Sequence, residues 1–106
     1  MNTTEKNVIE KFKSLLMDRV RLHKMILFGS MARGDAGSYS DIDIVVILDN
    51  LSDARDFDNV SDCAWEAGFE HGIIIVPVIF TREQWENGPE RYSLLAQAVE
   101  AEGVPL

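Results

Sequence analysis

Apolar residues recur every three or four places at the start of the chain, at Val8, Ile9, Phe12, Leu15, Leu16 and Val20. That spacing lays them along one stripe of a helix over residues 4–22, with Lys6, Lys11, Lys13 and Arg19 on its solvated side. Asn2, with Glu5 three places later, can supply a capping box. Residues 25–28 read as a short strand stopped at Gly29, and 30–33 as a helical turn stopped by Gly34. The segment 35–40, "DAGSYS", is loop by composition. From 41 to 48 the pattern alternates and then becomes a continuous Ile/Val run, which suits a strand entering the middle of a sheet.

After the turn "DNLSD", Ser52 can cap a helix whose first turn favours Asp53 and Asp56. Ala54, Phe57, Val60, Ala64, Trp65 and Gly68 keep helical spacing to about residue 69, which places Trp65 in the core. His71-Gly72 leads into "IIIVPVIF" (73–80), an apolar run for a strand covered on both faces. Pro77 cannot donate to a ladder, so the second half of that strand belongs at an edge. Thr81 with Gln84 resembles a second capping box, for a short helix broken at Gly88-Pro89. Residues 90–102 read as a final helix with Leu94, Leu95, Ala98, Val99 and Glu102 in register, closed by Gly103 and Pro105. The order helix, strand, helical turn, strand, helix, strand, helix predicts an α/β fold, a small mixed sheet with helices packed on it. At 106 residues it is read as one domain, 1–106.

Composition narrows the choice of partner. The chain is 46% hydrophobic and 26% charged, the range of an ordinary globular protein, with a net charge of −8. That balance argues against direct binding of a nucleic-acid backbone and suits a metal-chelated anion or a basic protein. The longest apolar run is about eight residues, far below a membrane span, and "MNTTEKNVIE" has no apolar centre, so the expected location is cytoplasmic, away from membranes. Cys63 stands alone and reads as a small buried hydrophobe.

The chemistry concentrates in "LFGSMARGDAGSYSDIDIVVIL" (27–48). Asp41 and Asp43 are two apart on a strand, so they share a face with Cα atoms roughly 6.7 Å apart. Two bare carboxylates about 5 Å apart repel by roughly 3 kcal/mol at an effective dielectric near 20. A divalent metal removes that penalty, and Mg²⁺ commonly takes one or two carboxylates plus substrate phosphates. The bland alternative has Asp41 at the strand entrance and Asp43 facing solvent. The upstream turn favours the metal: Gly29 lets backbone approach an anion, Ser30 adds a hydroxyl, and Arg33 offers a fork for phosphate oxygens. Phosphate donors facing metal ligands make a metal–nucleotide site.

"GSMARG" followed by "SDIDIVV" resembles the signature of the polymerase-β-like nucleotidyltransferase superfamily, and the short length resembles its minimal nucleotidyltransferase (MNT) branch. The resemblance implies the polymerase-β-like core and transfer of AMP from ATP to a hydroxyl, with release of pyrophosphate. It implies that Gly29 and Ser30 hold the β- and γ-phosphates and that Asp41 and Asp43, the catalytic pair, hold Mg²⁺. Arg33 would bind phosphate or pin the loop, and Ser40 would set the strand entrance. MNT proteins are similar to antitoxins that pair with a helical HEPN toxin, in which a tyrosine is the acceptor (a type VII toxin–antitoxin pair). The implied activity is that of a protein adenylyltransferase, EC 2.7.7-type. Assembly with itself or with a partner is left open.

The pattern departs from the family at one place. A third acidic residue belongs on a later strand, and residues 73–80 contain none. Glu70 and Glu83 only flank that run, and His71 is either a base near its start or a turn residue. Loss of a general base typically costs 10²- to 10⁴-fold in rate. A catalytically weakened nucleotide- or partner-binding module therefore stands beside the active enzyme as the alternative. A small-molecule transferase is disfavoured, since the chain has no length for an acceptor domain. Trp85 and Tyr92 fit either core or interface, Tyr39 is a loop aromatic or a cover for a base, and His23 carries no specific signal.

Overall fold

The computed structural model describes residues 1–33, 41–50 and 54–106, with Ser30 and Arg33 described by backbone alone. Helix α1 (Thr3–Arg19) begins at the expected capping box, in which the Asn2 side chain accepts from the Glu5 N–H and the Glu5 carboxylate accepts from the Asn2 N–H. It leads into β1 (Leu22–Phe28), the single turn α2 (Ser30–Arg33), β2 (Ile42–Leu48) and α3 (Arg55–Gly68). A 3₁₀ turn (Phe69–His71) precedes β3 (Ile75–Thr81), followed by α4 (Arg82–Asn87), α5 (Leu94–Glu102) and β4 (Val104–Pro105).

The sheet order is β3-β2-β1-β4. β1 runs antiparallel to both neighbours while β2 and β3 are parallel, so the sheet is mixed as expected. A parallel pair needs a long crossover, and α3 supplies it. β2 is central, and its side chains divide by the two-residue period. Ile42, Ile44, Val46 and Leu48 pack with Val8, Phe12 and Leu16 of α1 and Val60, Cys63 and Ala64 of α3. Val45 and Ile47 face the other way, onto Ile26, Phe80, Trp85 of α4 and Ala96 and Val99 of α5. Both faces are therefore covered, which is why this strand reads as an unbroken Ile/Val run.

β3 lies at an edge, and Pro77 sits where an edge tolerates it. The Ile42 N–H donates to the Ile74 carbonyl at 2.9 Å, so even-numbered β3 residues bond to β2. Odd-numbered residues, Pro77 among them, turn their backbone outward, where the missing N–H costs no ladder bond.

Three expectations need correction. Trp65 is 64% exposed rather than core, because the buried face of α3 is Val60, Cys63, Ala64, Ala67 and Gly68. The last helix begins at Leu94, not 90, since Pro89–Tyr92 form a 3₁₀ turn and Ser93 caps α5 by accepting from the Ala96 N–H. Its buried residues are Ala96 and Val99, with Leu94 and Ala98 exposed. The short strand β4 has no counterpart among the expected elements. Trp85 is core, tilted against Phe80 with ring centroids 5.2 Å apart, while Tyr92 is exposed. The expected loop 35–40, with Tyr39 and Ser40, and the proposed cap at Ser52 with Asp53 lie outside the described residues.

Candidate active site

The helices α4 and α5 cover the Val45–Ile47 part of their sheet face. Asp43 lies two residues earlier on the same face of β2, beyond that cover, and is half-buried. Asp41 stands just before β2 and is exposed. Burial pushes the Asp43 carboxyl above its ordinary range, and the nearby Asp41 charge pushes it further the same way. Asp43 therefore feels the charge of Asp41.

β1 brings the glycine turn to the same place. Phe28 pairs with Asp43 across the antiparallel ladder, so Gly29 follows immediately beside the carboxylate. Gly29 has φ +76, a left-handed conformation that other residues adopt at a cost. A Cβ built on it would stand 2.6 Å from Asp43 Oδ2. Gly29 is thus required twice, by its backbone and by the carboxylate against it. Ser30 opens α2 and Arg33 ends it; their side chains lie outside what is described.

On the other side of Asp43 stands β3. Val76 is its partner in register, and Ile74 meets Ile42 by the backbone bond given above, so both even-numbered residues lie on the face of the carboxylates. Neither carries charge. Glu83 belongs to the first turn of α4, at the far end of β3, where its carboxylate accepts from Asn87 at 3.2 Å. Glu70 and His71 lie in the exposed 3₁₀ turn before β3, and Gly72 follows in the left-handed conformation that ends it. His71 thus has the position of a turn residue. Among the described residues no group of three metal-ligating side chains occurs. The donor set the chain itself offers is two hard carboxylate groups, with Asp43 destabilised as an anion by burial and by Asp41. That set fits a divalent cation whose remaining ligands come from phosphates and water.

Asp43 on β2, with Asp41 just before the strand and the left-handed Gly29 beside it, forms the candidate site on this small mixed sheet. The sequence profile of the nucleotidyltransferase domain family matches residues 6–98, and the chain belongs to that family. A Methanocaldococcus jannaschii protein named "Putative protein adenylyltransferase MJ0604" is 37% identical over 81 residues, covering 74% of this chain and 76% of that one. A second from the same organism, MJ0141, bears the same designation and is 29% identical over 79 residues, covering 71% and 78%. Among solved structures, a toxin–antitoxin complex with AMP-PNP matches at TM-score 0.63 and 24% identity, over 91% of this chain and 69% of that one. The complex of a tri-AMPylated Shewanella oneidensis HEPN toxin with its MNT antitoxin matches at TM-score 0.57 and 24% identity, over 97% and 71%. At that identity the likeness is one of fold, and the fold is the expected one.

Proposed function

We propose that the chain is a Mg²⁺-dependent protein adenylyltransferase that moves AMP from ATP to a tyrosine hydroxyl of a helical HEPN-type toxin, as its antitoxin. One observation carries the reading: the Asp43 carboxylate rests against the backbone of a left-handed glycine that immediately precedes the α2 turn. The names of the M. jannaschii relatives and the AMPylated toxin bound to a chain of this fold support the direction of transfer.

In this reading Gly29 and Ser30 receive the β- and γ-phosphates, Arg33 steadies them or the loop, and Asp41 and Asp43 hold Mg²⁺. Bound there, the metal supplies charge neutralisation along the triphosphate. The acceptor oxygen bonds to the α-phosphorus, and the bond from that phosphorus to the oxygen bridging to the β-phosphate breaks. Pyrophosphate leaves with that oxygen, and the acceptor proton passes to solvent. A phenol, with pKa about 10, gives up its proton far more readily than an aliphatic alcohol. It is the acceptor suited to a site with two carboxylates and, among the described residues, no third.

The test is incubation with labelled ATP, Mg²⁺ and the HEPN-type protein encoded beside this chain. Label should appear on that protein and be lost with Asp43→Asn. Labelling that survives the substitution would remove Asp43 from its role. Nucleotide binding without transfer would favour the binding-module alternative, which the uncharged Val76 beside Asp43 keeps in view.

A further inference from the structure

The largest exposed apolar side chains near the candidate site lie along one end of the fold. Trp65 and Phe69, 64% and 63% exposed, stack on each other with ring centroids 4.5 Å apart. Phe69 adjoins Gly68, whose carbonyl accepts from the Ile73 N–H at 3.1 Å. Gly68 allows that close return, since a Cβ there would collide with the Ile73 carbonyl. Ile74, 62% exposed, follows directly, and Val76, 36% exposed, comes next on the same face as Asp43. These exposed apolar side chains stand at the end of α3 and the start of β3, and the start of β3 is the part of that strand in register with Asp43. Stacking fixes the two aromatic rings in place, but it hides little of them from water.

Exposed apolar surface of this kind, centred on aromatics, marks a place where another molecule settles. The charge around it selects which. Asp58, Asp62 and Glu70 are exposed on α3 and its following turn, and Asp41 is exposed just before β2. With a net charge of −8, a second copy, a nucleic acid or an anionic membrane surface would be repelled. A protein surface with an apolar centre and a basic rim complements it.

Building on the adenylyltransferase reading, we infer that the Trp65–Phe69–Ile74–Val76 strip is the docking surface for the protein acceptor, a basic-rimmed protein whose hydroxyl it delivers to Asp41 and Asp43. This surface accounts for the apolar residues at the two β3 positions beside the acid pair. Ile74 and Val76 are positioning residues for the acceptor, while the nucleotide is held from the Gly29 side.

The experiment compares wild type, Trp65→Ala/Phe69→Ala and Ile74→Ser for binding and labelling of the purified neighbouring HEPN-type protein, with AMP-PNP binding measured separately. The double substitution should raise KM for the protein acceptor by about tenfold or more, the size expected for aromatic anchors. Its kcat and its AMP-PNP affinity should stay within about twofold of wild type. A photo-crosslinking side chain in place of Phe69 should join the chain to the acceptor, giving a readout that does not depend on truncation. Unchanged KM with no cross-link overturns the docking surface and leaves the transferase reading intact. Wild type that binds the acceptor through the strip but transfers no label overturns the transferase reading instead. If wild type does not bind that protein, the named occupant is wrong.

Discussion

Gly29 and Asp43 are packed so closely that the glycine has no room for a side chain: its Cβ would stand 2.6 Å from Oδ2 of the carboxylate. Gly29→Ala must therefore shift the carboxylate or the turn, and must also hold alanine at φ +76. The backbone cost alone is about 1–2 kcal/mol. The expected result is a folded protein of lower melting temperature whose transfer activity falls by far more than its stability. Circular dichroism melts beside label-transfer rates make the comparison. Full activity from a normally stable Gly29→Ala variant would remove the Gly29–Asp43 contact from the mechanism.

Asp43 itself weakens the metal-free protein. Burial and the Asp41 charge raise its pKa, so the neutral form is the one the fold favours. The contribution of that group to stability is full below the unfolded carboxyl's ordinary pKa and is lost as pH rises through the folded value. Once ionised, Asp43 carries a half-buried charge beside that of Asp41. Asp43→Asn should then raise the melting temperature of the metal-free protein by a few degrees while abolishing transfer. Added Mg²⁺ with ATP should stabilise wild type by mass action and leave the variant unmoved. A variant less stable than wild type without metal would show that the carboxylate is satisfied by other contacts.

Much of the fold is legible in the sequence because its signals are local. The capping boxes at Asn2–Glu5 and Thr81–Gln84 need only residues three apart, and both form. The doubly covered β2 announces itself by its Ile/Val run, and Pro77 foretells an edge. Trp65 misleads because hydrophobicity is not burial. It lies one residue, about 100° of helical turn, past Ala64 and so leaves the core-facing stripe. β4 exists only through pairing with Ile26 and Leu27, a long-range contact with no local pattern. At the site, the sequence spacing of Asp41 and Asp43 is enough to expect the influence of the Asp41 charge on Asp43. That Val76 is the neighbour of Asp43 does not follow from spacing, because the register of two strands joined by a helix is set by tertiary packing.

Cys63 offers a check on the packing of α3 against α1. Its thiol is fully buried, and burial pushes its pKa up, with the Arg19 guanidinium 3.9 Å from Sγ pulling weakly the other way. Arg19 is committed to Glu66 by two hydrogen bonds of 3.2 and 3.0 Å. A buried, neutral thiol is a poor nucleophile. Alkylation by N-ethylmaleimide at neutral pH should be negligible in the folded protein and rapid in denaturant. The stability gained from keeping this thiol neutral is full below the unfolded thiol's pKa and is lost as pH rises through the folded one. A rapid reaction under native conditions would mean that α1 and α3 separate readily.

Val76 provides the sharpest test of what the site lacks. It pairs in register with Asp43, shares its face and is exposed enough to accept a polar replacement. Val76→Asp would bring a third carboxylate to the acid pair. Without metal, three like charges should lower the melting temperature, and Mg²⁺ with ATP should recover more stability than in wild type. A positioned base is worth 10²- to 10⁴-fold, so even a partly aligned one should raise kcat about tenfold if deprotonation of the acceptor limits the rate. The same change removes apolar surface from the acceptor's path, so KM for the protein acceptor should rise as kcat does. A fall in kcat with KM unchanged would place Val76 outside the acceptor's approach and would show that the acid pair needs no third member.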